Sequence, residues 1–317
     1  MPKRKIQAMD DPPTTPGGLK PLLSLNGRRI LVTGASGFIG SHLARTLESR
    51  GATVTRVSRR TGVDAADADA LDCAVANARP DSIFHLASSV TASHDLSLVL
   101  PTLRNNFLST VHVLLAAHRH NVRRVIQIGS LQEPLESAGE TANSPYAASK
   151  AAATAYARMF ASLYGLSVTV ARVFVVYGPC QQDLTKVLPH TITRVLAGGP
   201  VELSSARQPF DWIHVRDVVD ALTTILDRTD LDGEVVDVGS GELVSVASVV
   251  QAAAEFAGAP ELLRFGVLPD RKGDPVRTAD VERTFRLTGW KPAIGLRQGL
   301  SETVDSYRVR PEVVLAA

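Results

Sequence analysis

The segment that determines the fold is Thr33-Gly34-Ala35-Ser36-Gly37-Phe38-Ile39-Gly40, which follows the apolar run Arg29-Ile30-Leu31-Val32 and precedes an amphipathic stretch ending near Arg50. Glycine allows a tight turn and a close approach of the backbone to a ligand. The first turn of a helix offers free N–H groups and a positive dipole end to a phosphate. A strand, a glycine-rich turn and a helix in this order therefore predict a dinucleotide-binding site, whereas glycines alone would indicate only a tight turn. The candidate cofactor-binding residues of this turn are Gly34, Ser36, Gly37, Phe38, Ile39 and Gly40.

Apolar strands and amphipathic helices continue to alternate after this turn. The predicted strands are Arg29–Thr33, Thr53–Val57, Ser82–Leu86, Arg124–Ile128 and Ser167–Phe174, and the predicted helices end near Arg50, span Thr102–His120, and follow Tyr146. Strands that alternate with helices of this length imply a parallel sheet covered by helices on both faces. The fold class is therefore predicted to be α/β, with a doubly wound parallel sheet.

The pattern becomes less regular after about Gly178, with a short strand at Gly233–Val238 and a helix at Ser245–Ala257. We expect residues 27–178 to form a nucleotide-binding domain and residues 179–317 to form mainly a smaller capping domain that interleaves with the first core. Residues 1–26 combine charge with prolines and glycines, which favours a flexible tail; the alternative is that the basic run Lys3-Arg4-Lys5 is an interaction arm.

The composition is that of a globular protein with a large core, because 44% of the 317 residues are hydrophobic and 21% are charged. A net charge of +2 gives no indication of nucleic-acid or membrane-surface binding. The two cysteines, Cys73 and Cys180, fit neither a disulfide framework nor a metal-ligand spacing, so no metal is predicted. With no long apolar run or signal sequence, we expect a soluble, cytoplasmic protein.

The end of the second strand indicates which dinucleotide is bound. An acidic residue there marks NAD, since it bonds the ribose hydroxyls. This chain instead has Val57-Ser58-Arg59-Arg60, and two guanidinium groups suit a 2′-phosphate. We therefore predict NADP(H), bound with help from Ser58, Arg59 and Arg60. The alternative is NAD(H), with both arginines solvated.

A tyrosine and a lysine four residues apart, Tyr146 and Lys150, begin an alanine-rich helix just after Pro145. This spacing places both side chains on one helix face. An ammonium group beside a phenol stabilises the phenolate, so we expect the tyrosine pKa to be lowered toward neutrality, where the phenol is a usable acid or base.

With these motifs together, the chain resembles the extended short-chain dehydrogenases that act on nucleotide sugars. The likeness covers nearly the whole sequence after residue 27. It rests on Thr33–Gly40, His85-Leu86-Ala87, Asn106, Tyr146 with Lys150, Tyr177-Gly178-Pro179, Asp211–Asp217, Val238-Gly239-Ser240-Gly241 and Gly289-Trp290-Lys291-Pro292.

The resemblance implies a Rossmann domain, a small C-terminal domain, and a nucleotide-sugar substrate in the cleft between them. Tyr146 would be the catalytic acid/base, and Lys150 would hold the nicotinamide ribose. Asn106 would support the lysine through a water or backbone contact, and Leu86 and Ala87 would line the cofactor channel. The resemblance also implies a homodimer interface of two helices, for which the alanine-rich helix beginning near Tyr146 and the Thr102–His120 helix are the candidates; a monomer is the alternative.

The chain departs from the family where a Ser or Thr usually bonds the substrate oxygen. If Glu133 is aligned with the family's frequent glutamate, the hydroxyl position is occupied by Leu131, and Ser130 lies one residue early. Ser130 is the catalytic candidate, with a strand-end serine that bonds the backbone as the alternative. Gln132 replaces an acid of the 4,6-dehydratases and cannot titrate, which argues against dehydration. Glu133 has two interpretations, an extra acid or base and, as is more usual for a helix-flanking carboxylate, a solvated charge.

Two further positions differ, because Val175 replaces an Asn that often touches the sugar nucleotide and Phe210 replaces the Arg that often precedes Asp211. Arg207 and Arg277 are the candidates for binding the substrate diphosphate. Three functions remain open: an NADPH-consuming ketoreductase of a nucleotide-linked keto-deoxysugar, an epimerase that retains NAD, and a catalytically silent nucleotide-binding regulator.

Overall fold

The computed structural model describes residues 24–91, 93–135, 138–270 and 273–309. Its centre is a six-stranded parallel sheet, with strand order β2-β1-β3-β4-β5-β9. The strands are β1 (Arg29–Thr33), β2 (Thr53–Val57), β3 (Ser82–His85), β4 (Arg124–Ser130), β5 (Val168–Val173), β6 (Val175–Tyr177), β7 (Val201–Glu202), β8 (Pro209–His214), β9 (Val235–Val238), β10 (Leu243–Ser245) and β11 (Leu263–Arg264).

Helices cover both faces of this sheet, and two apolar cores lie on its opposite sides. The helices are α1 (Phe38–Ser49), α2 (Ala68–Ala78), α3 (Val99–Thr102), α4 (Ser109–Arg119), α5 (Pro145–Tyr164), α6 (Val187–Leu196), α7 (Val215–Leu226), α8 (Val246–Ala257), α9 (Val281–Thr288) and α10 (Leu296–Arg308). The predicted α/β class with a doubly wound parallel sheet is confirmed.

Strand register brings the cofactor-side residues together. Thr33 at the end of β1 lies beside Val57 of β2 and beside His85 of β3. The carboxyl ends of these three parallel strands therefore meet at one edge, where ligands bind in open α/β sheets. Ser58 and Leu86, the next residues along their chains, consequently flank the turn that begins at Gly34.

Helix α5 begins where its sequence predicts. The hydroxyl of Ser144 accepts a hydrogen bond from the N–H of Ala147 at 3.1 Å, and Pro145 occupies the first turn. The helix ends at Gly165, whose φ of 65° is typical of a glycine C-cap. Tyr146 and Lys150 are thus fixed in the first two turns.

The second half of the chain contributes both to this sheet and to a separate cluster. Strand β9 pairs with β5 at the edge of the six-stranded sheet. Strands β10, β8 and β6 form a three-stranded sheet, and β11 pairs with β7. Residues of α6, α8 and α10 pack around Trp212 to form a third apolar core.

Three local features differ from the sequence prediction. The predicted Thr102–His120 helix begins at Val99 and contains a π-helical segment, Leu103–Leu108, before α4. Strand β4 extends to Ser130 instead of ending at Ile128.

Residues 1–23 of the predicted tail lie outside the described residues. Among the helices of the described part, none is long and apolar enough to cross a membrane.

Candidate active site

The glycine-rich turn has the shape of a phosphate cradle. Gly34 has a φ of 67°, and a Cβ there would lie 2.7 Å from the backbone nitrogen of Ala87. A Cβ on Gly40 would lie 2.2 Å from the Gly34 carbonyl oxygen, so α1 can approach the turn only with glycine there. Gly37 is the N-cap of α1, and no side chain in the described part of the protein caps that helix. The free N–H groups at this end fit a dinucleotide pyrophosphate.

The other candidates in this turn have distinct surroundings. Ser36 and Phe38 are half-buried, and the Phe38 ring packs edge-on against His42 with centroids 5.7 Å apart. Ile39 packs against the apolar core on the α1 face of the sheet. The turn is therefore held by packing on one side and left open on the other.

The segment after β2 carries two exposed cations, Arg59 and Arg60. Ser58 is buried and forms a reciprocal capping box with Thr61. Arg59 and Arg60 are exposed in the single 3₁₀ turn that follows, and no described residue pairs with either guanidinium group. Arg56, by contrast, forms two hydrogen bonds with Glu48, at 2.9 and 2.7 Å. The cations at 59 and 60 are therefore free to meet an anionic ligand.

The backbone after β3 is fixed by Thr33. Its Oγ1 accepts hydrogen bonds from the N–H groups of Leu86 and Ala87, both at 3.2 Å, and lies 2.7 Å from His85 Nδ1. Burial lowers the pKa of His85 to about 3, so this imidazole is neutral. Leu86 and Ala87 thus lie directly beside Gly34, as a cofactor channel requires.

Tyr146 and Lys150 lie side by side and are both buried. The Lys150 ammonium donates a hydrogen bond to the carbonyl oxygen of Ile128 at 2.8 Å. Burial raises the pKa of Tyr146 to about 12 and lowers the pKa of Lys150 to about 8. The expected lowering of the tyrosine pKa is therefore wrong for this structure, because the desolvation of the phenolate outweighs the stabilising contacts of Tyr146.

Ser130 is the hydroxyl that meets Tyr146. A hydrogen bond with the Ser130 side chain acts to lower the pKa of Tyr146, against the effect of burial. Leu131, which stands at the family's hydroxyl position, instead packs in a small apolar cluster with Phe174 and Ala279. The structure thus brings Ser130, Tyr146 and Lys150 together.

Glu133 corrects an expectation from the sequence. It is only 2% exposed, and its Oε1 accepts a hydrogen bond from the N–H of Ser130 at 2.6 Å. Burial raises the pKa of this carboxyl group. The interpretation of Glu133 as a solvated charge is therefore wrong. Its sequence context gave no signal, since the burial comes from α5 and β5 packing over it.

Asn106 joins two parts of the site from within the π-helical segment. Its Oδ1 accepts hydrogen bonds from Ser88 Oγ and Ser89 N, and its Nδ2 donates to Ser149 Oγ at 3.0 Å. Its side chain bonds the neighbour of Lys150 instead of the lysine itself. Asn106 therefore ties the segment after β3 to the start of α5.

The two arginines proposed for the diphosphate differ in their freedom. Arg277 is largely buried and donates to the carbonyl oxygen of Glu133 at 2.9 Å and to Glu140 at 2.6 Å. Arg207 is exposed between β7 and β8. Near them, Gln132 Nε2 donates to Asp274 Oδ1 at 3.2 Å, and Val175 and Phe210 are partly exposed. Arg277 thus links its own segment to Glu133 and to Glu140.

Some functional contacts were not found from the sequence. Thr33 and His85 end neighbouring strands, which was the available signal for their interaction. Asp211 of β8 is buried and accepts backbone hydrogen bonds from Ser240, Gly241 and Ala279. It therefore holds both the turn after β9 and the segment that follows Arg277 against β8. Within the described residues, no cluster of histidine, cysteine and acidic side chains could hold a metal ion.

The fold and this site define a dinucleotide-binding enzyme of the tyrosine–lysine class. Residues 30–239 match the model of the NAD dependent epimerase/dehydratase family. The chain belongs to this family and is an enzyme of the extended short-chain dehydrogenase type.

Individual relatives cover almost the whole chain. It is 31% identical to a dTDP-glucose 4,6-dehydratase of an Actinoplanes species, over 88% of this chain and 98% of that protein. A solved UDP-glucose 4-epimerase of Thermus thermophilus, in complex with NAD, is 30% identical with a TM-score of 0.76, covering 88% of this chain and 99% of that one. RMD from Pseudomonas aeruginosa, complexed with NADPH, is 25% identical with the same TM-score of 0.76, over 89% and 99% of the two chains.

Proposed function

We propose that the protein is an NADP(H)-dependent reductase of a nucleotide-linked keto-deoxysugar, of the NDP-4-keto-6-deoxyhexose type. The observation that carries the proposal is the pair of exposed guanidinium groups, Arg59 and Arg60, which no described residue neutralises and which follow a strand end without an acid. A 2′-phosphate matches them in charge and in hydrogen-bonding geometry. A net reduction needs an external reductant, and NADPH is one that can be exchanged each turn.

The substrate end of the cleft supports reduction over dehydration. Gln132 is an amide and donates its Nε2 hydrogen to Asp274, so it supplies no titrating proton beside the sugar. Leu131 and Val175 pack in one apolar cluster next to Gln132, so neither supplies a titrating group there. Arg207 and Arg277 remain the proposed diphosphate contacts; Arg277 would exchange its bond with Glu140 for one with the substrate.

The proposed chemistry assigns one task to each residue. The bound dinucleotide supplies the hydride. Ser130 holds the keto oxygen of the sugar, and Tyr146 donates a proton to it. A pKa of about 12 keeps Tyr146 protonated at neutral pH, as a proton donor must be. Lys150 positions the nicotinamide ribose, and Asn106 holds the start of α5.

Residues 27–178 together with β9 would form the cofactor-binding part, and most of the remaining chain would form the substrate-binding part.

An NAD-retaining epimerase is the second candidate. It is favoured by the UDP-glucose 4-epimerases among the relatives, such as one from Mycolicibacterium smegmatis that is 29% identical over 88% of this chain. An epimerase needs the same tyrosine and lysine but no exchange of cofactor.

A fluorescence titration of the nucleotide-stripped protein with NADPH and NADH tests the cofactor assignment. We expect NADPH to bind at least about tenfold tighter, and Arg59→Ala with Arg60→Ala to remove that preference, since a charge-assisted bond contributes about 1.5–3 kcal/mol. Arg123→Ala is the control, because Arg123 is exposed at the opposite end of the sheet. Tighter binding of NADH, or NAD that leaves only on unfolding, would put the epimerase first.

Oxidation of NADPH with keto-deoxysugar nucleotides then tests the reaction. Tyr146→Phe should lower kcat by about 10²–10⁴-fold, the usual contribution of general acid catalysis, while NADPH binding is retained. Unchanged turnover in this variant would refute the assigned chemistry. Absence of turnover in the wild type, with NADPH bound, would favour the silent regulator.

A further inference from the structure

We propose that Glu133 is a positioning residue for the tyrosine–lysine pair, acting through the end of β4 as a buried counter-charge and never exchanging a proton with the substrate. This inference deepens the proposed function, since it rests on the roles given there to Tyr146 and Lys150. It concerns a buried carboxyl group beside the site that the proposed reaction does not use.

Three successive residues at the end of β4 place Lys150 and Glu133 against the same short stretch of backbone. The carbonyl oxygen of Ile128 accepts the hydrogen bond of Lys150, and the N–H of Ser130 donates to Glu133 Oε1. Between them, a Cβ on Gly129 would lie 2.8 Å from that same Oε1. The missing side chain at 129 therefore makes room for the carboxylate, which lies against the strand backbone.

Helix α5 presents a row of polar side chains to the Glu133 carboxyl group. Tyr146, Lys150 and Thr154 are spaced four residues apart, so they lie on one helix face. The Thr154 hydroxyl is buried, makes no well-aligned hydrogen bond with any described residue, and acts on the Glu133 carboxyl to lower its pKa. Glu133 is thus enclosed between this face of α5 and the end of β4.

The charged groups around Glu133 make it a counter-charge. Lys150 of α5 and Arg172 of β5 both act to lower its pKa, while Arg277 binds its backbone carbonyl oxygen. In return, Glu133 acts to raise the pKa of Lys150 and that of Tyr146. His85, which also faces Lys150, is neutral and does not replace this charge. The carboxylate form of Glu133 therefore favours the protonated forms of both Lys150 and Tyr146.

The bond to Ser130 also fixes the hydroxyl that meets Tyr146. Oε1 is occupied by the Ser130 N–H, and the carboxyl group is 2% exposed, so it is directed into the protein and away from the cleft. Loss of this acceptor would leave a buried N–H unpaired and release the Ser130 turn. Glu133 thus acts on the reaction only through Ser130, Tyr146 and Lys150.

Two substitutions separate positioning from direct acid/base catalysis. Glu133→Gln keeps the acceptor oxygen and the volume, so we expect kcat at pH 7 to stay within about tenfold of wild type, whereas Glu133→Ala should lower it by about 10²-fold or more. In Glu133→Gln the alkaline limb of the pH profile should move about one unit lower, because Lys150 loses the charge that raises its pKa. Equal inactivity of both variants, or an unmoved limb, would overturn the proposal.

A second measurement needs no substrate, so it stands even if the proposed reaction is wrong. The folded-state pKa of Glu133 is raised, so its contribution to stability is present below the unfolded value of 4.5 and is lost as pH rises through the folded value. The unfolding free energy of wild type minus that of Glu133→Gln should therefore fall as pH rises above 4.5. Parallel curves would contradict the assigned burial of the charge.

Asp217→Asn is the matched control for both measurements. Asp217 is also a buried carboxylate with a raised pKa, and it accepts hydrogen bonds from the backbone of Ala293 and Ile294, away from the site. This substitution should change the pH dependence of stability while leaving the alkaline limb of kcat in place. A shift of that limb in Asp217→Asn equal to that in Glu133→Gln would mean that the limb reports general stability, and would refute the positioning role.

Discussion

Burial controls the charge of side chains around the proposed active site, and His85 is the clearest example at the scale of a single residue. Its ring nitrogens lie 2.7 Å from Thr33 Oγ1 and 3.3 Å from Ser109 Oγ. Since Ser109 Oγ donates to the Asn105 carbonyl oxygen, it accepts from His85 Nε2–H, and Nδ1 is left as the acceptor from Thr33. The imidazole therefore needs to be neutral for both bonds to form.

This arrangement predicts acid sensitivity. The pKa of His85 is about 3 in the folded protein, below its ordinary value of 6.5, so the unfolded chain binds more protons between these values. Stability should therefore fall as pH drops below 6.5, by about 2 kcal/mol from this residue at pH 5. Urea unfolding of wild type and His85→Gln at several pH values measures it.

His85→Gln should be less stable than wild type at pH 7, because one or both hydrogen bonds change, but its curve should be flatter below pH 6.5. His190 offers the control, since it is only partly buried on α6 in the other half of the chain. A His190→Gln curve as flat as that of His85→Gln would show that the slope arises elsewhere.

At the scale of elements, the contact between the glycine turn and α1 is the tightest backbone approach near the cofactor site. A Cβ at residue 40 would meet the Gly34 carbonyl oxygen at 2.2 Å, and neither group is at the end of a flexible side chain. Gly40→Ala must therefore move α1 away from the turn, at a cost of about 1–3 kcal/mol. We expect dinucleotide binding to weaken at least about tenfold, measured by fluorescence titration.

Gly258→Ala provides the comparison, at the C-cap of α8 and away from the glycine turn. A Cβ there would meet nothing within 4 Å, and its φ of 94° is strained for alanine. This variant should lose a similar amount of stability without the loss of dinucleotide affinity. Equal affinities in the two variants would refute the role assigned to the α1 contact.

The elements and the site were not equally predictable from the sequence. Strands such as β1 and β2 were located to the residue, because apolar runs between turn residues leave little choice for a buried parallel strand. The π-helical segment at Leu103–Leu108 was missed, since its apolar pattern is that of an α-helix. In this segment the Asn106 side chain bonds Ser88, Ser89 and Ser149. These partners come from distant parts of the sequence, so the local apolar pattern does not indicate the π-helical segment.

Within the candidate site, the sequence selected side chains that the structure brings together, but it did not indicate their electrostatic environment. Tyr146, Lys150 and the glycine turn form motifs with fixed spacing, so sequence was sufficient to select them. The burial of Glu133 and the raised pKa of Tyr146 depend on how α5 packs on β4 and on which groups exclude water. Such desolvation is a tertiary property that no local pattern encodes.

At the scale of the whole molecule, the π-helical segment, α4 and α5 carry a row of apolar side chains that no other described residue covers. Leu108 and Leu115 are 37% and 46% exposed, and Tyr156 and Leu163 are 39% and 68% exposed. Each pair is seven residues apart, so each lies along one helix face. The two helical stretches are adjacent, because the rings of Phe107 and Tyr156 pack edge-on with centroids 4.9 Å apart.

An apolar surface shared by two neighbouring helices is typical of a protein interface, and its position fits the two-helix homodimer that the family resemblance predicts. In a two-fold dimer each helix pair would pack on the same pair of its partner, so every apolar contact would occur twice. We therefore expect a dimer for the wild type by sedimentation equilibrium and a monomer for Leu115→Glu with Leu163→Glu, since the buried carboxylates would repel and remain unsolvated. Phe285→Glu is the control, because Phe285 is 52% exposed on α9 and belongs to none of these helices. A monomeric wild type, or a dimer unaffected by the double substitution, would show that this surface serves another contact. Because Tyr146 and Lys150 lie on the same helix as Tyr156 and Leu163, dissociation should also lower the thermal stability of the site.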